Sequence, residues 1–353
     1  MNNALTAPSL RGAFGSVFKI GAAITPRMIF DSDYRALICR HFSSVTAEND
    51  MKPERLLDRE ATLKKGDFLR PVLNFALADK MLAFARENQI AVRFHTLVWH
   101  NQTPRWFFAE NWDAAPDAPL ATPDTLLARL EAYIQIVMEH VNSAFPGTVY
   151  AWDVVNEAIE PDQGAPGCYR TKSLWYQVLG ESFVPAAFQA ARKHQAPGQK
   201  LFYNDFSTFV PEKKEALTAL LRKLRDENLV DGMGMQAHLQ WDNLDAAACE
   251  RAARAFSDLG LTLHITEMDI HCPFRDEAHQ ARLAQCYRDY FDMLLRLKRD
   301  GYDVESVSFW GVTDADTWLT YFRKEGSWPL LFTGNKDVKP AFDAVLEAAK
   351  SMH

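Results

Sequence analysis

The feature that most constrains this chain is a regular alternation of short β-prone runs with longer segments of helical periodicity. Apolar and β-branched residues mark the first kind of segment, and apolar residues at three- and four-residue spacing mark the second. The β-prone runs lie at 18–24, 43–49, 91–99, 149–160, 200–206, 231–239, 261–271 and 304–312. The helical segments lie at 33–42, 75–89, 122–141, 173–194, 211–229, 244–260, 276–300 and 338–352. The sequence therefore predicts eight β-then-α units.

Eight such units favour a closed barrel. Alternating units build a parallel sheet, and eight of them in 353 residues favour a (β/α)8 TIM barrel over an open sheet. An open doubly wound sheet would carry a glycine-rich phosphate turn after an early strand, but the first run, KIGAAI, has no G-x-G-x-x-G. No Pro-, Gly- or Ser-rich linker divides the chain. We expect one catalytic barrel domain over 1–353, with 1–17 as a lead-in and the irregular stretch 103–121 inside a β-to-α connection.

Composition and charge narrow the classes of function. The chain is 48% apolar and 24% charged, as in ordinary globular proteins, and its net charge of −7 argues against a nucleic-acid partner. No apolar run approaches the roughly 18 residues that span a bilayer, and the N-terminus lacks the pattern of a secretory signal. Five cysteines without C-x-x-C spacing fit a reducing compartment. We expect a cytoplasmic protein with no membrane partner, and the sequence carries no indication of an oligomeric state.

Two glutamates occupy equivalent positions at the ends of β-prone runs. Glu157 follows VYAWDVVN, where a buried strand opens into a loop, and Glu267 lies near the end of LTLHITEMDIH. In a barrel, the ends of the fourth and seventh strands face one mouth from opposite sides. A single glutamate there would usually be a solvated loop acid. Two such glutamates match the carboxylate pair that cleaves glycosidic bonds. One of the pair protonates the leaving oxygen, and the other attacks the sugar or activates a water molecule.

Most other strand ends carry amide, imidazole, ammonium or indole side chains. Alone, a histidine or tryptophan in a strand is usually a satisfied core residue. Together at one mouth they suit a sugar, whose hydroxyls form hydrogen bonds and whose ring face stacks on indole. These residues are Glu48, Asn49, Lys52, His95, Trp99, His100, Gln102, Gln236, His238, Trp310 and Trp318. Tyr203 of the fifth run has two interpretations, a stacking platform for a distal sugar or a packed strand residue.

Six motifs, in order along the chain, resemble those of glycoside hydrolase family 10, the endo-β-1,4-xylanases. They are ENDMKPE, HTLVWHNQ, WDVVNEAIE, GMQAHL, ITEMDI and FWGVTDADTW. The similarity extends from about Phe18 to the last helix and includes WPLLF and KPAFDAV. One departure is Ser207, in YNDFSTF, where relatives commonly carry asparagine. This departure concerns contacts on the aglycone side of the cleavage point.

The resemblance implies a (β/α)8 barrel and a retaining double displacement, with carboxyl groups about 5–5.5 Å apart. It implies that Glu157 is the general acid/base and Glu267 the nucleophile. It further implies that Asn156 binds the sugar 2-hydroxyl and that His238 orients the nucleophile through hydrogen bonds to Glu267 and Asp269. Further residues that it implies in the sugar site are Asn49, Lys52, His95, Trp99, Gln102, Gln236, His238, Trp310 and Trp318. We expect a xylooligosaccharide or xylan substrate, no cofactor and no metal.

The resemblance extends to the cellular compartment. The chain shows neither a signal peptide nor an appended carbohydrate-binding domain, which fits the cytoplasmic members of the family. Such enzymes would act on short xylooligosaccharides imported after the polymer has been broken down.

Two other functions compete with this interpretation. A metal-dependent barrel hydrolase could use Glu267, Asp269 and His271, which alternate onto one strand face, together with His238. Against it, the first strand lacks the H-x-H that such barrels often carry, and the histidines are interspersed with tryptophan. A non-catalytic sugar-binding barrel would be favoured if one of the two glutamates were missing, and both are present.

Overall fold

The computed structural model describes residues 3–163 and 166–351 and contains a closed barrel of eight parallel strands. Neighbouring strands pair in chain order, and the ring closes because the last strand pairs with the first. The strands are β1 (Lys19–Ile24), β2 (Ser44–Ala47), β3 (Ala91–Phe94), β4 (Val149–Asn156), β5 (Lys200–Asp205), β6 (Gly232–Met235), β7 (Thr262–His271) and β8 (Val304–Phe309). The predicted (β/α)8 barrel is confirmed.

A major helix follows each strand. These helices are α1 (Ser32–His41), α2 (Ala76–Glu87), α3 (Pro123–Ala144), α4 (Phe183–His194), α5 (Pro211–Asp226), α6 (Ala246–Ser257), α7 (Glu277–Arg299) and α8 (Pro340–Lys350). Helix α3 begins with Thr122 as its N-cap and Pro123 in its first turn. Met352, the last residue of the predicted final helix, lies outside the described residues. Within the described part of the chain, none of the helices combines the length and apolarity needed to cross a membrane.

One predicted helix is not continuous in the structure. The segment 173–194 has continuous helical periodicity, but the structure divides it into Leu174–Leu179, the 3₁₀ turn Gly180–Ser182 and α4. Gly180 has a φ of 58°, a left-handed conformation that a right-handed helix does not contain. The apolar spacing is preserved across the turn, so the pattern alone does not reveal the break.

Two predicted strands are interrupted near their C-terminal ends. The third divides into β3 and a short segment, Val98–Trp99, which pairs with β4. The sixth divides into β6 and His238–Gln240, which pairs with β7. Each break leaves a polar residue, His95 or Gln236, whose side chain lines the barrel mouth. Both strand breaks therefore lie beside side chains of the candidate site.

The remaining short elements lie before β1 or in the connections between the barrel elements. The short helices are Leu10–Phe14, Pro26–Phe30, Pro53–Leu56, Arg59–Lys65, Leu174–Leu179 and Leu319–Arg323. The 3₁₀ turns are Arg105–Phe107, Glu110–Trp112, Pro161–Gln163, Pro166–Cys168, Gly180–Ser182 and Asp314–Asp316. Two short antiparallel strands, Leu57–Asp58 and Val72–Leu73, pair with each other. Most of these elements follow the C-terminal ends of strands, on the face where barrel sites are built.

Buried charged side chains form a chain of contacts between the barrel strands. Arg93 of β3 donates to both carboxylate oxygens of Asp153 on β4, and its guanidinium also contacts His264 on β7. His264 Nε2 lies 3.1 Å from Glu305 on β8, which accepts a hydrogen bond of 3.0 Å from Lys200 on β5. Arg93, Asp153 and His264 are almost completely buried. This chain connects five strands, and each buried charge in it has a partner.

Replacing Gly234 by alanine is expected to destabilise the barrel. An added Cβ would lie 2.3 Å from Asn204 Oδ1 and 2.8 Å from Arg93 Nη2, and both of those side chains are buried. Overpacking of this kind costs about 1–3 kcal/mol of unfolding free energy. Gly12→Ala is the matched control, because its new Cβ would lie no closer than 3.6 Å to a neighbour, within a helix. Thermal unfolding should show a lower Tm for Gly234→Ala only, and equal Tm values would contradict this account.

Candidate active site

The C-terminal mouth of the barrel opens into a cleft of about 1490 Å³. Sites for single small molecules usually occupy about 300–1,000 Å³, so this cleft has room for a longer ligand. It brings together most of the predicted site residues: Glu48, Asn49, Lys52, His95, Trp99, His100, Gln102, Asn156, Glu157, Gln236, His238, Glu267, Trp310 and Trp318. Asp269 is buried against His238, one of the lining residues.

Glu157 lies directly after the last residue of β4. Its backbone adopts a φ of 55°, and its N–H donates to the Asn204 carbonyl oxygen at 2.9 Å. Its carboxylate accepts hydrogen bonds of 2.9 Å from Trp99 Nε1 and from Gln236 Nε2. The side chain retains 13% exposure. Glu157 is therefore held in one orientation while it still faces the cleft.

Glu267 lies within β7, at a shift in the register between β7 and β8. Irregularities of this kind re-aim side chains and are common beside active sites. The Glu267 carboxylate accepts a hydrogen bond of 2.8 Å from Asn204 Nδ2 and lies 3.3 Å from His238 Nε2. Burial alone raises the pKa of Glu267, but contacts with His238, His95 and Asn204 outweigh burial and lower that pKa. Glu267 is therefore an anion near neutral pH.

His238 lies between two carboxylates. Its Nδ1 is 2.9 Å from Asp269 Oδ1, so the expected contacts with Glu267 and Asp269 are both present. Burial lowers the pKa of His238, but the charges and hydrogen bonds of Asp269 and Glu267 raise it to about 10. The second oxygen of Asp269 accepts from Trp318 Nε1 at 2.8 Å. His238 is thus a cation fixed beside Glu267.

Three buried amides link the two glutamates. Asn204 Nδ2 lies 2.8 Å from Glu267 Oε1 and 2.9 Å from Asn156 Oδ1. Gln236 Nε2 lies 2.9 Å from Glu157 Oε1 and 3.3 Å from the same oxygen of Asn156. The carboxyl groups therefore share one hydrogen-bonded frame, here called the amide frame. Because its members are buried, the amide frame fixes how the two carboxyl groups face each other.

A buried lysine supplies positive charge on the β2 side of the cleft. Lys52 donates to Asn49 Oδ1 at 3.1 Å and to Gln102 Oε1 at 3.0 Å, and its Nζ lies 4.7 Å from the Trp99 ring centroid. Burial lowers the pKa of Lys52 overall, and the charges of Glu267 and of neighbouring carboxylates partly offset this shift. The negative charge of the carboxylates therefore supports the protonated form of Lys52.

Two tryptophans stand beside the carboxyl groups. The Trp310 ring centroid is 5.5 Å from that of His95, and the Trp318 centroid is 5.1 Å from that of His238. His95 Nδ1 lies 3.0 Å from Asp153, which joins this part of the cleft to the charged chain of the barrel interior. The indoles give the cleft an apolar wall of the kind on which a sugar ring stacks.

A strand-end carboxyl pair and indole side chains at the same mouth are also what the six sequence motifs lead one to expect. A family model described as "Glycosyl hydrolase family 10" matches residues 9–348. The chain belongs to glycosyl hydrolase family 10. The resemblance carried by the six motifs is thereby confirmed.

Relatives of this family 10 chain include several proteins named endo-1,4-beta-xylanase. Endo-1,4-beta-xylanase B of Butyrivibrio fibrisolvens is 44% identical over 347 residues, which cover 97% of this chain and 53% of that protein. Endo-1,4-beta-xylanase A of Thermotoga maritima is 37% identical, with 96% of this chain and 30% of that protein covered. The chain thus spans about half or less of these two relatives. The Geobacillus stearothermophilus endo-1,4-beta-xylanase, at 36% identity, is covered over 97% of its length.

Solved structures of family 10 xylanases share the barrel. A Clostridium thermocellum endo-1,4-beta-D-xylanase complexed with xylohexaose matches with a TM-score of 0.89 at 30% identity, covering 97% of this chain and 67% of that one. The intracellular xylanase from Thermoanaerobacterium saccharolyticum matches with a TM-score of 0.84 at 32% identity, covering 96% and 98%. This chain is therefore similar to family 10 enzymes over nearly its whole length.

The interpretation of Tyr203 as a sugar-stacking platform is wrong. Its side chain is fully buried, and it does not line the cleft. Its hydroxyl accepts hydrogen bonds from the backbone N–H groups of Ala158 and Ile159 and donates one to Asp205. Tyr203 is a packed strand residue, and its polar group is turned toward the loop that follows Glu157.

Two residues that contact the candidate glutamates are not predicted from the sequence. Asn204 belongs to the amide frame and is the residue before the last one of β5, in YNDF, so the strand-end signal used elsewhere would have found it. Arg170 donates from Nε to the Glu157 carbonyl oxygen at 3.1 Å and from Nη2 to Glu160 at 2.8 Å. Arg170 carries no local signal, because it lies in an irregular loop 13 residues beyond Glu157.

The residues that a metal-dependent hydrolase would need have other partners. Both oxygens of Asp269 already accept hydrogen bonds. His271 Nδ1 lies 2.9 Å from Ser327 Oγ, and its Nε2 lies 3.1 Å from Glu325. Across residues 3–163 and 166–351, no three or more His, Cys, Asp or Glu side chains are grouped so as to hold a metal ion. These contacts do not favour the metal-dependent alternative.

The ion pairs of His238 predict a specific dependence of stability on pH. The pKa of His238 in the folded protein is raised to about 10. The ion pairs of His238 therefore contribute fully to the free energy of unfolding below its ordinary pKa of about 6.5. That contribution is lost as pH rises from there through 10. The difference in Tm between wild type and His238→Gln, measured by calorimetry, should therefore be largest near pH 6 and shrink toward pH 10. A Tm difference that is constant over this range would contradict the assignment of a charged His238.

Proposed function

We propose that this chain is a retaining endo-β-1,4-xylanase and that its barrel acts as one catalytic domain on xylan-derived oligosaccharides. The observation that carries the proposal is the pair Glu157 and Glu267, joined by the amide frame, with Glu267 kept ionised by His238. Retaining glycosidases use a proton donor and a nucleophilic carboxylate that face one glycosidic bond. The relatives named endo-1,4-beta-xylanase support the substrate class.

In the first half-reaction, the Glu267 carboxylate attacks the anomeric carbon of the bound sugar. The glycosidic C–O bond breaks, and Glu157 gives its proton to the departing oxygen. The products are a glycosyl ester of Glu267 and a shortened sugar chain that leaves. His238 beside Glu267 keeps the nucleophile deprotonated before the attack.

In the second half-reaction, water attacks the same anomeric carbon. Glu157, now a carboxylate, takes a proton from the water while the ester bond to Glu267 breaks. Two inversions at one carbon give net retention of configuration. Asn156, held by Asn204 and Gln236 in the amide frame, would bind the sugar 2-hydroxyl, a contact that strengthens in the transition state.

The remaining residues of the cleft would bind sugar rings on either side of the bond. Trp99, Trp310 and Trp318 offer indole surfaces, and the volume of the cleft exceeds what a single ring needs. Polar contacts would come from Glu48, Asn49, Lys52, His95, Gln102, Gln236 and His238. Structures of related xylanases complexed with xylohexaose and with xylotetraose support oligosaccharides as ligands.

Replacing either glutamate by glutamine tests the two roles. Glu157→Gln should lower kcat on xylotetraose by about 10²- to 10⁴-fold, the usual contribution of a general acid/base. Glu267→Gln should lower it on the order of 10⁴- to 10⁶-fold, as when a nucleophile or its partner is removed elsewhere. NMR of the first-formed product from wild type should show the β-anomer, because the configuration is retained.

The exposed Glu131→Gln on α3 is the matched control and should retain full activity. The wild-type assay should also give the same rate with a chelator present, and a loss of activity would favour the metal-dependent hydrolase. Inverted product, or unimpaired glutamine variants, would overturn the double displacement. Tight binding of xylotetraose without any hydrolysis would favour the sugar-binding barrel.

Short soluble xylooligosaccharides in the cytoplasm are the proposed natural substrates. The related enzyme from Thermoanaerobacterium saccharolyticum is an intracellular xylanase, and this chain covers 98% of it. All five cysteines of this chain are free thiols, which agrees with a reducing compartment.

This proposal predicts a preference for chain length. The value of kcat/KM should be higher for xylotetraose than for insoluble xylan, because the cleft would act on soluble fragments rather than on a polymer surface. Release of reducing ends from both substrates at equal mass concentration measures the preference. Activity on insoluble xylan that greatly exceeds activity on xylotetraose would refute the proposed substrate while leaving the chemistry intact.

A further inference from the structure

Tyr203 holds the backbone that follows Glu157. Its hydroxyl oxygen accepts hydrogen bonds from the N–H groups of Ala158, at 2.8 Å, and Ile159, at 3.2 Å. The same hydroxyl donates to Asp205 Oδ2 at 2.7 Å. A phenol hydroxyl has one donor and two acceptor sites, so every hydrogen-bonding site of this group is used. The side chain is fully buried, so bulk solvent does not contact this hydroxyl.

A buried ion pair anchors the hydroxyl of Tyr203. Asp205 Oδ1 lies 2.7 Å from Lys213 Nζ near the start of α5, and it also accepts from the Phe206 N–H at 2.9 Å. Asp205 is completely buried, and Lys213 is 3% exposed. Breaking one member of a buried ion pair leaves an unpaired charge, so both side chains are strongly held in place. The direction in which the Tyr203 hydroxyl points is therefore fixed from α5.

The conformation of Glu157 explains why this anchoring matters. With a φ of 55°, Glu157 is in the left-handed region, which residues other than glycine occupy only when their surroundings impose it. On its N-terminal side, the N–H of Glu157 is bound to the Asn204 carbonyl oxygen. On its C-terminal side, Tyr203 binds the next two N–H groups. The turn that aims the Glu157 side chain is thus held at both ends.

We propose that Tyr203 and Asp205 are positioning residues for the acid/base action of Glu157, acting through the backbone of Ala158 and Ile159. The inference rests on the proposed function, since it concerns proton transfer by Glu157. Neither residue lines the cleft, so neither contacts substrate. Without the phenol oxygen, two buried N–H groups lose their acceptor, and the turn at Glu157 relaxes. The carboxyl group then moves away from the leaving oxygen, while Glu267 keeps its own partners.

Leaving-group dependence separates this role from a general structural one. A 2,4-dinitrophenolate leaves a sugar without being protonated, whereas a phenolate leaves much faster with help from an acid. We therefore compare kcat/KM for phenyl and 2,4-dinitrophenyl β-xylobiosides, since kcat/KM reports the first half-reaction. Tyr203→Phe should lower kcat/KM for the phenyl glycoside about 10-fold, within the roughly 100-fold that a 1 Å displacement can produce. The value for the dinitrophenyl glycoside should change less than about 2-fold.

Two variants calibrate the measurement. Glu157→Gln should show the same selectivity with a larger loss on the phenyl glycoside. Tyr150→Phe removes a hydroxyl that lies 3.1 Å from Ser306 Oγ, near the opposite end of β4, and it should leave both values unchanged. Circular dichroism and Tm establish that each variant is folded. If Tyr203→Phe does not fold, Asp205→Asn keeps the side-chain shape, removes the charge that pairs with Lys213, and should give a selective loss in the same direction.

Each outcome has a distinct meaning. A folded Tyr203→Phe or Asp205→Asn variant that loses activity equally on both glycosides, or on neither, overturns the positioning role. Wild type that hydrolyses neither glycoside would instead refute the proposed function. Equal losses on both glycosides for Glu157→Gln would remove Glu157 from the acid role and leave Tyr203 nothing to position.

Discussion

The buried negative charge of Glu267 is the constraint on which the rest of the site depends. A carboxyl group so far from water would take up a proton unless fixed partners favoured its ionised form. His238 supplies a cation and Asn204 a hydrogen bond, and each of these needs a partner in turn. Asp269 holds His238, and Trp318 donates to Asp269. The residues that stabilise this one charge thus lie on β5, on the segment after β6, on β7 and in the loop beyond β8. Their contacts hold these elements in a single arrangement.

The barrel and the pair of strand-end glutamates could be predicted from the sequence because both depend on local patterns. Alternating periodicity specifies strands and helices one after another, and a parallel barrel places every strand end at the same mouth. Polar residues that end an apolar run therefore meet in space, even when more than 100 residues separate them. Glu157 and Glu267 were found in this way, and so were Lys52 and Trp310. The motif resemblance then added the role that each residue would have.

The sequence could not show in which direction individual side chains point. Tyr203 and Asn204 are neighbours in one strand, yet one is turned toward the loop after Glu157 and the other belongs to the amide frame. A strand pattern gives the alternation of faces but does not say what each face meets. The breaks after β3 and β6 and the left-handed turn at Gly180 were hidden for a related reason. Each preserves the apolar spacing, and each is decided by contacts from other parts of the chain.

The charged chain of the barrel interior also limits how such an enzyme can change. Arg93 bonds to both Asp153 and His264, so the loss of Arg93 or of Asp153 leaves a buried charge without its main partner. A single substitution there would destabilise the fold, so these residues would have to change together. Exposed residues at the rim of the cleft, such as Tyr321, which is 91% exposed, lie outside this charged chain and can vary one residue at a time. Changes in ligand preference would therefore arise at the rim of the cleft, while the charged residues of the barrel interior would have to change together.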